Sequence, residues 1–543
     1  MTYIYFYLIS ISLVGYGLLV SKVLNIKIPS IGIYGILGIT LVSLFSFISS
    51  PFLYHGYYFN LIFLIFGLIL IFYFSDILIK LKKEIIIFFL VFTVLLTFIS
   101  VAKNHDDFPY YHFPYIVFLT EFSHPIGFGQ FNNGFRSPSS IFFLSSVFYL
   151  PGVNIYLFHI ASAIILGFTN LVLIKIIFNK RLFKESKYIN LLSLMFFSFI
   201  NIFFYRLAEH GTDRSGMILI IISIIFFIYL INNKKIFENV DIMKFLIITV
   251  CYVSTIKPFY LVNIPIIFLF LFYLNTRKDF MKLFLSRTFF YCLSLVLLII
   301  FYTFINSGCL VYPATFTCFD SLSWSFSKEY IDDINIWFEL WSKGGANPNF
   351  VTKDKLHYIS NFNWLTNWID NYFFNKVSDF LIGLGLLILV IFLLFYKKKR
   401  INSIYKVRFF LLYLFIFLLL CEWFLKHPSL RYGGYHLIAL LALIPSSIFL
   451  GGMNFNYQFF IKKTFFIIIL TTLIFISRNG LRISDEYEKY SYNPLLNSNY
   501  QFIGGDSDFY YRYNSQFKKF KNKYPKFNLL GKQIYITTFK NLK

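Results

Sequence analysis

The chain has 543 residues, of which 58% are hydrophobic and 14% charged, with a net charge of +24. A soluble protein carries about 25% charged residues, so a water-soluble enzyme and a disordered chain are both excluded. The basic excess does not point to nucleic acid, because polytopic membrane proteins collect Lys and Arg in their cytoplasmic loops.

About 14 apolar blocks of near-spanning length predict an all-α polytopic membrane protein. In chain order they are 1–20, 31–50, 58–75, 85–102, 154–178, 188–205, 215–232, 245–256, 259–274, 288–306, 379–396, 407–425, 435–451 and 464–477. Solid blocks, rather than ten-residue alternation, argue against a transmembrane β-barrel. Around Lys257-Pro258 the pattern reads as one broken helix or two. Alternate short loops hold roughly 23 Lys and Arg against roughly 7 in the others, which places both termini outside the cytoplasm. Segments 103–153, 206–214, 307–378 and 426–434 then face outward, and every dense polar constellation falls in one of them.

The first constellation follows the fourth span: His105, Asp106, Asp107 and His112 within a run of eight residues. Carboxylates at a membrane surface are costly unless solvated or used, and one held within reach of a hydroxyl is a competent general base. The plain alternative is a hydrophilic loop start. Beyond it lies a semi-apolar stretch with Arg136 and the block SSIFFLSSVFYLPG. The block is too short to span, and suits either a helix in the interface plane or a buried re-entrant one. Arg136 is a candidate phosphate contact or a structural arginine. In 206–214, Glu209, His210, Asp213 and Arg214 crowd a tight connector. They offer a second carboxylate and an anion binder, or an ion-pair network capping two helix ends.

Lys257 stands on the outer side, where lysine is scarce, and suits a lipid phosphate or simple snorkelling. The loop 307–378 opens with Cys309 and Cys318, expected to form a disulfide on the oxidising side, and carries five of the six tryptophans. Interfacial anchoring is the preferred account of those tryptophans, with sugar stacking as the sharper one. The connector 426–434 brings Arg431, a planar fork suited to phosphate oxygens, and Tyr432. An Asp506-Ser507-Asp508 triplet in the polar segment 478–543 reads as a solvated loop, and that segment is expected to be periplasmic.

This arrangement resembles the GT-C class of membrane glycosyltransferases: a span, an outer loop opening on an acidic pair (Asp106-Asp107), a short second polar loop (206–214), and a large outer loop after the seventh module helix (307–378). On that resemblance, 1–84 is a set of three N-terminal helices, 85–400 the catalytic module, 401–477 further C-terminal helices and 478–543 a small polar end. The resemblance implies a polyprenyl-phosphate-linked sugar donor and a glycan, lipid or protein acceptor. It implies transfer by single displacement at the periplasmic face of a bacterial inner membrane. Asp106, Asp107, Glu209 and Asp213 are its candidate catalytic carboxylates. His105, His112, Arg136, His210, Arg214, Lys257, Arg431 and Tyr432 are its candidate binding residues. No cofactor is certain: the separated Asp-x-Asp of metal-dependent members is missing from the first loop, which leaves a divalent metal possible but not indicated. Two other readings stand beside it, an O-antigen polymerase or ligase type of enzyme and a lipid-linked glycan transporter.

Overall fold

The structure, a computed structural model, describes residues 1–101, 107–205, 211–232, 240–269, 285–397, 410–490, 528–529 and 532–533. Within them the chain is helical, apart from two short antiparallel strands, Asn528–Leu529 and Lys532–Gln533. The helices that matter for the site are α1 (Thr2–Val23), α2 (Ile31–Ser49), α3 (Tyr57–Tyr73), α4 (Lys82–Ile99), α5 (Phe113–Glu121), α6 (Ser140–Ser146), α7 (Ile160–Ile177), α8 (Lys180–Phe203), α9 (Gly211–Asn232), α10 (Val240–Ile256), α11 (Arg287–Ser307), α12 (Lys328–Lys343), α13 (Ser378–Phe395), α14 (Phe410–Lys426), α15 (Gly434–Gly451) and α16 (Tyr457–Tyr490).

Ile and Phe favour strands in water. They build helices here because a backbone surrounded by lipid has to satisfy its own hydrogen bonds. Among the described residues nine helices are long and apolar enough to cross a membrane: α1, α2, α7, α8, α9, α11, α13, α15 and α16. Helices α3, α4, α10 and α14 are apolar too, but they are shorter or begin on charged residues. Helices α7, α8 and α9 form the almost wholly buried centre. Around them α3, α13 and α16 turn apolar side chains outward, such as Ile62, Ile69, Leu386, Leu393, Phe466 and Leu473. Apolar surface on this scale belongs against lipid. Helices α1 and α2 approach closely because Gly17 lies on the Tyr34 carbonyl and Gly38 on that of Leu13, where any Cβ would collide.

The two ends of the bundle differ in chemistry. At one end the lysine-bearing loops tie to helix termini. Lys244 donates to the Leu24 carbonyl at 2.9 Å, and Glu84 pairs with Lys175 while accepting from Ile31 N at 2.9 Å. The other end carries the long loops and the site.

Three expectations gain detail. Helix α6, the core of the SSIFFLSSVFYLPG block, is buried along its whole length, so it packs inside the protein and does not lie on its surface. The stretch after 478 opens as helix: α16 runs to Tyr490, and Arg478 donates to the Ile202 carbonyl at 2.7 Å where α8 ends. The break at Lys257-Pro258 is real. Helix α10 stops at Ile256, Lys257 is extended (φ −155°, ψ 129°), and a 3-10 turn follows at Pro258–Asn263.

Candidate active site at the loop end of the bundle

Four side chains from four separate stretches meet at the loop end. Asp107 precedes a π-helical turn, Phe108–His112, and Asp213 lies in the first turn of α9. Lys257 occupies the break after α10, and Arg431 sits in a 3-10 turn, Leu430–Tyr432. Lys257 Nζ is 2.5 Å from Asp213 Oδ1, and Arg431 Nε donates to Asp213 Oδ2 at 3.1 Å. The Nη2 of Arg431 donates to Asp107 Oδ2. Tyr260 OH closes the set by donating to the Asp213 backbone carbonyl at 2.6 Å.

Each partner is held for a physical reason. Because proline cannot continue α10, the backbone turns at Lys257 and delivers its ammonium sideways to Asp213. The connector bearing Arg431 is pinned through its backbone. Trp368 Nε1 donates to the Pro428 carbonyl and Trp423 Nε1 to the Ser429 carbonyl, both at 2.8 Å, while Leu430 N donates to Tyr372 OH at 2.9 Å. Gly433 then turns the chain at φ 125°, a value that only glycine takes easily. The interfacial account of the loop tryptophans therefore fails for Trp364 and Trp368, which are buried. An indole N–H needs a partner once it is out of water, and Trp368 has found one in the connector.

Aromatic rings roof the ions. The Arg431 guanidinium lies 5.8 Å from the Trp341 ring centre and 5.7 Å from that of Tyr432, and Lys257 Nζ lies 5.1 Å from Tyr432. Asp213 is the buried pole, its side chain 3% exposed, whereas that of Asp107 is 25% exposed. Burial alone would loosen the proton of Arg431, yet Asp107 and Asp213 hold its pKa well above the ordinary value. The Tyr111 hydroxyl is pushed well up, first by burial and then by the Asp107 charge, so it stays a neutral phenol beside the cluster. Burial pushes His427 down to about 4 against the opposing charge of Glu339, so it is neutral near pH 7.

Of the other sequence candidates, Arg214 follows Asp213 but turns away from it, its guanidinium 4.5 Å from the Phe204 ring centre and 4.0 Å from that of Tyr435. Among the described residues it has no carboxylate partner, and its buried Nη1 has no hydrogen bond. His112 is buried, its ring 4.9 Å from Phe142 and 4.3 Å from Tyr111. Arg136 is buried as a tie between loops. It donates to Tyr330 OH at 3.0 Å and Tyr312 OH at 3.4 Å, and it stacks 4.0 Å from the Phe326 ring centre. That place fits the structural of its two sequence readings, because its donors face phenols and an aromatic wall. Cys309 and Cys318 are disulfide-bonded across a small hairpin, with Leu310 N donating to the Thr317 carbonyl at 3.1 Å. His105, Asp106, Glu209, His210 and the Asp506–Asp508 triplet lie outside the described residues.

A family model described as a domain of unknown function, DUF8201, matches residues 1–438. The chain belongs to the DUF8201 family. All four ion partners of this DUF8201 chain lie inside the matched region. No curated protein and no solved structure matches the chain.

Several residues around the ions gave no signal in the sequence. Tyr111, Tyr260, Tyr372 and Trp341 are ordinary members of an aromatic-rich chain until the fold brings them to the cluster. The Pro258 break was the one usable cue for Tyr260, two residues beyond it.

Proposed function

We propose that this DUF8201 protein is an integral membrane glycosyltransferase, similar to the GT-C class, with about 14 membrane crossings. It moves a sugar from a polyprenyl-phosphate donor to an acceptor hydroxyl on the outer face of a bacterial inner membrane. One observation carries this reading: two carboxylates and two cations as much as 324 residues apart meet where the long loops gather. Their position at the bundle rim suits a lipid-linked substrate whose head group lies at the membrane surface. A transporter would instead be expected to keep its charges near the membrane midplane.

The two carboxylates differ in role. Asp213 is buried and shared by two cations, which makes it the anchor of the site. Asp107 is the more open one and serves as the base, with its neighbour Asp106 sharing the expectation. The acceptor oxygen attacks the anomeric carbon and gives its proton to the carboxylate. The bond from that carbon to the phosphate oxygen breaks, the electron pair leaves with the phosphate, and the configuration inverts. Negative charge grows on the departing phosphate, where Arg431, Lys257 and Arg214 would stabilise it.

The experiment is a transfer assay with the full chain in lipid nanodiscs and a panel of undecaprenyl-phosphate sugars. Asp107→Asn should abolish transfer while the protein remains folded. A polymerase- or ligase-type enzyme is the second reading, favoured by the half-buried His427 beside the ions, its ring 5.9 Å from that of Tyr432. Full activity in Asp106→Asn and Asp107→Asn, together with loss in His427→Ala, would transfer the assignment to that class.

A further inference from the structure

Helix α12 bridges two parts of the loop end. Near its start Tyr330 OH accepts from Arg136 of the first loop at 3.0 Å, and near its end the Trp341 ring centre stands 5.8 Å from the Arg431 guanidinium. Away from those contacts the helix is fixed to its own loop. Asn335 Nδ2 donates to the Pro313 carbonyl of the disulfide hairpin and Lys343 Nζ to the Ile359 carbonyl, both at 2.7 Å, and Ile331 is buried against Cys309 and Cys318. Tyr330, Trp337 and Trp341 follow one another at intervals of seven and then four residues, so they share one face of the helix. By the helical rise that face runs about 16 Å, more than the width of one sugar ring.

The rings on this face are open. Trp337 is 45% exposed and Tyr330 37%, while Trp341 is half-buried over the ions. Their polar edges are open too. Trp324, Trp368 and Trp423 each spend the indole N–H on a backbone carbonyl. Among the described residues the N–H groups of Trp337 and Trp341 donate to no protein atom. The helix does not suit a bilayer surface. Glu329, Asp332, Asp333 and Glu339 outnumber Lys328 and Lys343, whereas helices that lie on membranes are basic on their polar face. Its aliphatic Ile331 and Leu340 are buried, which leaves rings as the exposed apolar surface. The same acidic balance repels a polyanion. A pyranose has a C–H face and a rim of hydroxyls. The C–H face packs on the negative face of an aromatic ring, and the hydroxyls accept from a free indole N–H.

We infer that the aromatic face of α12 from Tyr330 to Trp341 is the acceptor subsite, and that it takes an uncharged glycan chain whose end reaches the ion cluster at Trp341. The assignment rests on the transferase reading for its purpose, and it deepens that reading by making the acceptor a neutral oligosaccharide, not a lipid or a protein. Trp337 carries an inner sugar of the chain. Trp341 seats the last one beside Arg431, the partner of Asp107. The ties of α12 to the hairpin and to Ile359 hold the face in place before the glycan arrives. No covalent bond changes on this face.

The full chain in nanodiscs is titrated calorimetrically with chitotetraose, cellotetraose, mannotetraose and maltotetraose, with their monosaccharides, and with tetragalacturonate as the charged comparison. At least one neutral tetrasaccharide should bind, about tenfold or more tighter than its monosaccharide because several rings are engaged. Trp337→Ala should weaken that binding about tenfold, the scale of one aromatic stacking contact, and Trp337→Phe should lose less. Absence of binding by every neutral tetrasaccharide overturns the assignment. So does a monosaccharide that binds equally well, tighter binding of tetragalacturonate, or unchanged binding by folded Trp337→Ala. If that variant does not fold, oxidative footprinting of wild type replaces it: the bound tetrasaccharide should protect Trp337 and Trp341, and undiminished oxidation overturns the assignment. In nanodiscs of brominated lipid, the fluorescence that Trp337→Phe removes should be unquenched; quenching makes α12 a membrane anchor and overturns it as well. Tetrasaccharide binding of this pattern without sugar transfer would sink the transferase reading alone. Transfer with an unmoved acceptor KM in Trp337→Ala would sink only the acceptor face.

Discussion

At the scale of single residues, the site depends on which charges are buried and which are paired. Asp213 pairs with two cations at once, so its loss leaves Lys257 without a carboxylate among the described residues and Arg431 with Asp107 alone. Asp213→Asn should cost about 3–5 kcal/mol, the usual penalty for removing one partner of a buried pair. Unfolding in detergent micelles would measure it, and Asp213→Asn with Lys257→Met should recover part of the loss. A second residue-level effect follows from three histidines in the loops, His55 and His124 buried and His427 half-buried. Burial lowers His55 and His124 to about 3 and His427 to about 4, from an ordinary 6.5. Each is neutral when folded and takes a proton more readily when unfolded. Their contribution is therefore complete above pH 6.5 and is lost as pH falls toward about 4 for His427 and about 3 for His55 and His124. Unfolding midpoints should be flat from pH 8 to 7 and decline below about 6.5, where the unfolded imidazole titrates. His124→Phe should shallow that decline, and an unchanged slope would remove His124 from the account.

At the scale of elements, short irregular pieces matter more to the site than the long helices. The connector between α14 and α15 holds Arg431 through backbone bonds to Trp368, Trp423 and Tyr372. Its exit needs the positive φ of Gly433. Gly433→Ala should cost about 1–3 kcal/mol in stability. It should weaken anion binding and transfer together because Arg431 shifts, and wild-type binding in the folded variant would separate connector from site. The hairpin closed by Cys309–Cys318 supports α12, which carries Trp341 over Arg431. A ring this small stabilises by about 2–3 kcal/mol at most, so replacing both cysteines with serine should loosen the loop without unfolding the bundle. Limited proteolysis would read this as faster cleavage within 307–327 and an unchanged membrane core. The helix N-cap Ser327, which accepts from Tyr330 N at 3.3 Å, marks where that loosening stops.

At the scale of the whole molecule, the division into a lysine-rich end and a loop-rich end is the feature on which every sidedness claim rests. Lys244, Lys175 and Glu84 work at one end, and Asp107, Lys257 and Arg431 at the other. Single cysteines at exposed positions of each end test the assignment in cells, in a background with Cys421 replaced by serine. Ser321→Cys should react with a membrane-impermeant maleimide from outside, and Asn456→Cys should react only after the cells are opened. The reverse pattern would put the site in the cytoplasm and rule out a donor presented at the outer leaflet.

Sequence by itself determined the helical class, the alternation of basic loops, the break at Pro258 and the residue types that carry charge. These are local or statistical properties: a long apolar run has one stable form in lipid, and a proline ends a helix wherever it sits. The sequence also offered Asp107, Asp213, Lys257 and Arg431 as candidates, though each came with an equally good solitary explanation. Tertiary structure alone decided that these four touch while Arg136 and His112 sit among aromatic rings, and that Trp364 and Trp368 are core and not interface. It alone decided that α6 is buried. Such outcomes depend on packing between segments hundreds of residues apart, and in a chain so rich in phenyl and phenol rings no local pattern marks which ring will meet which charge.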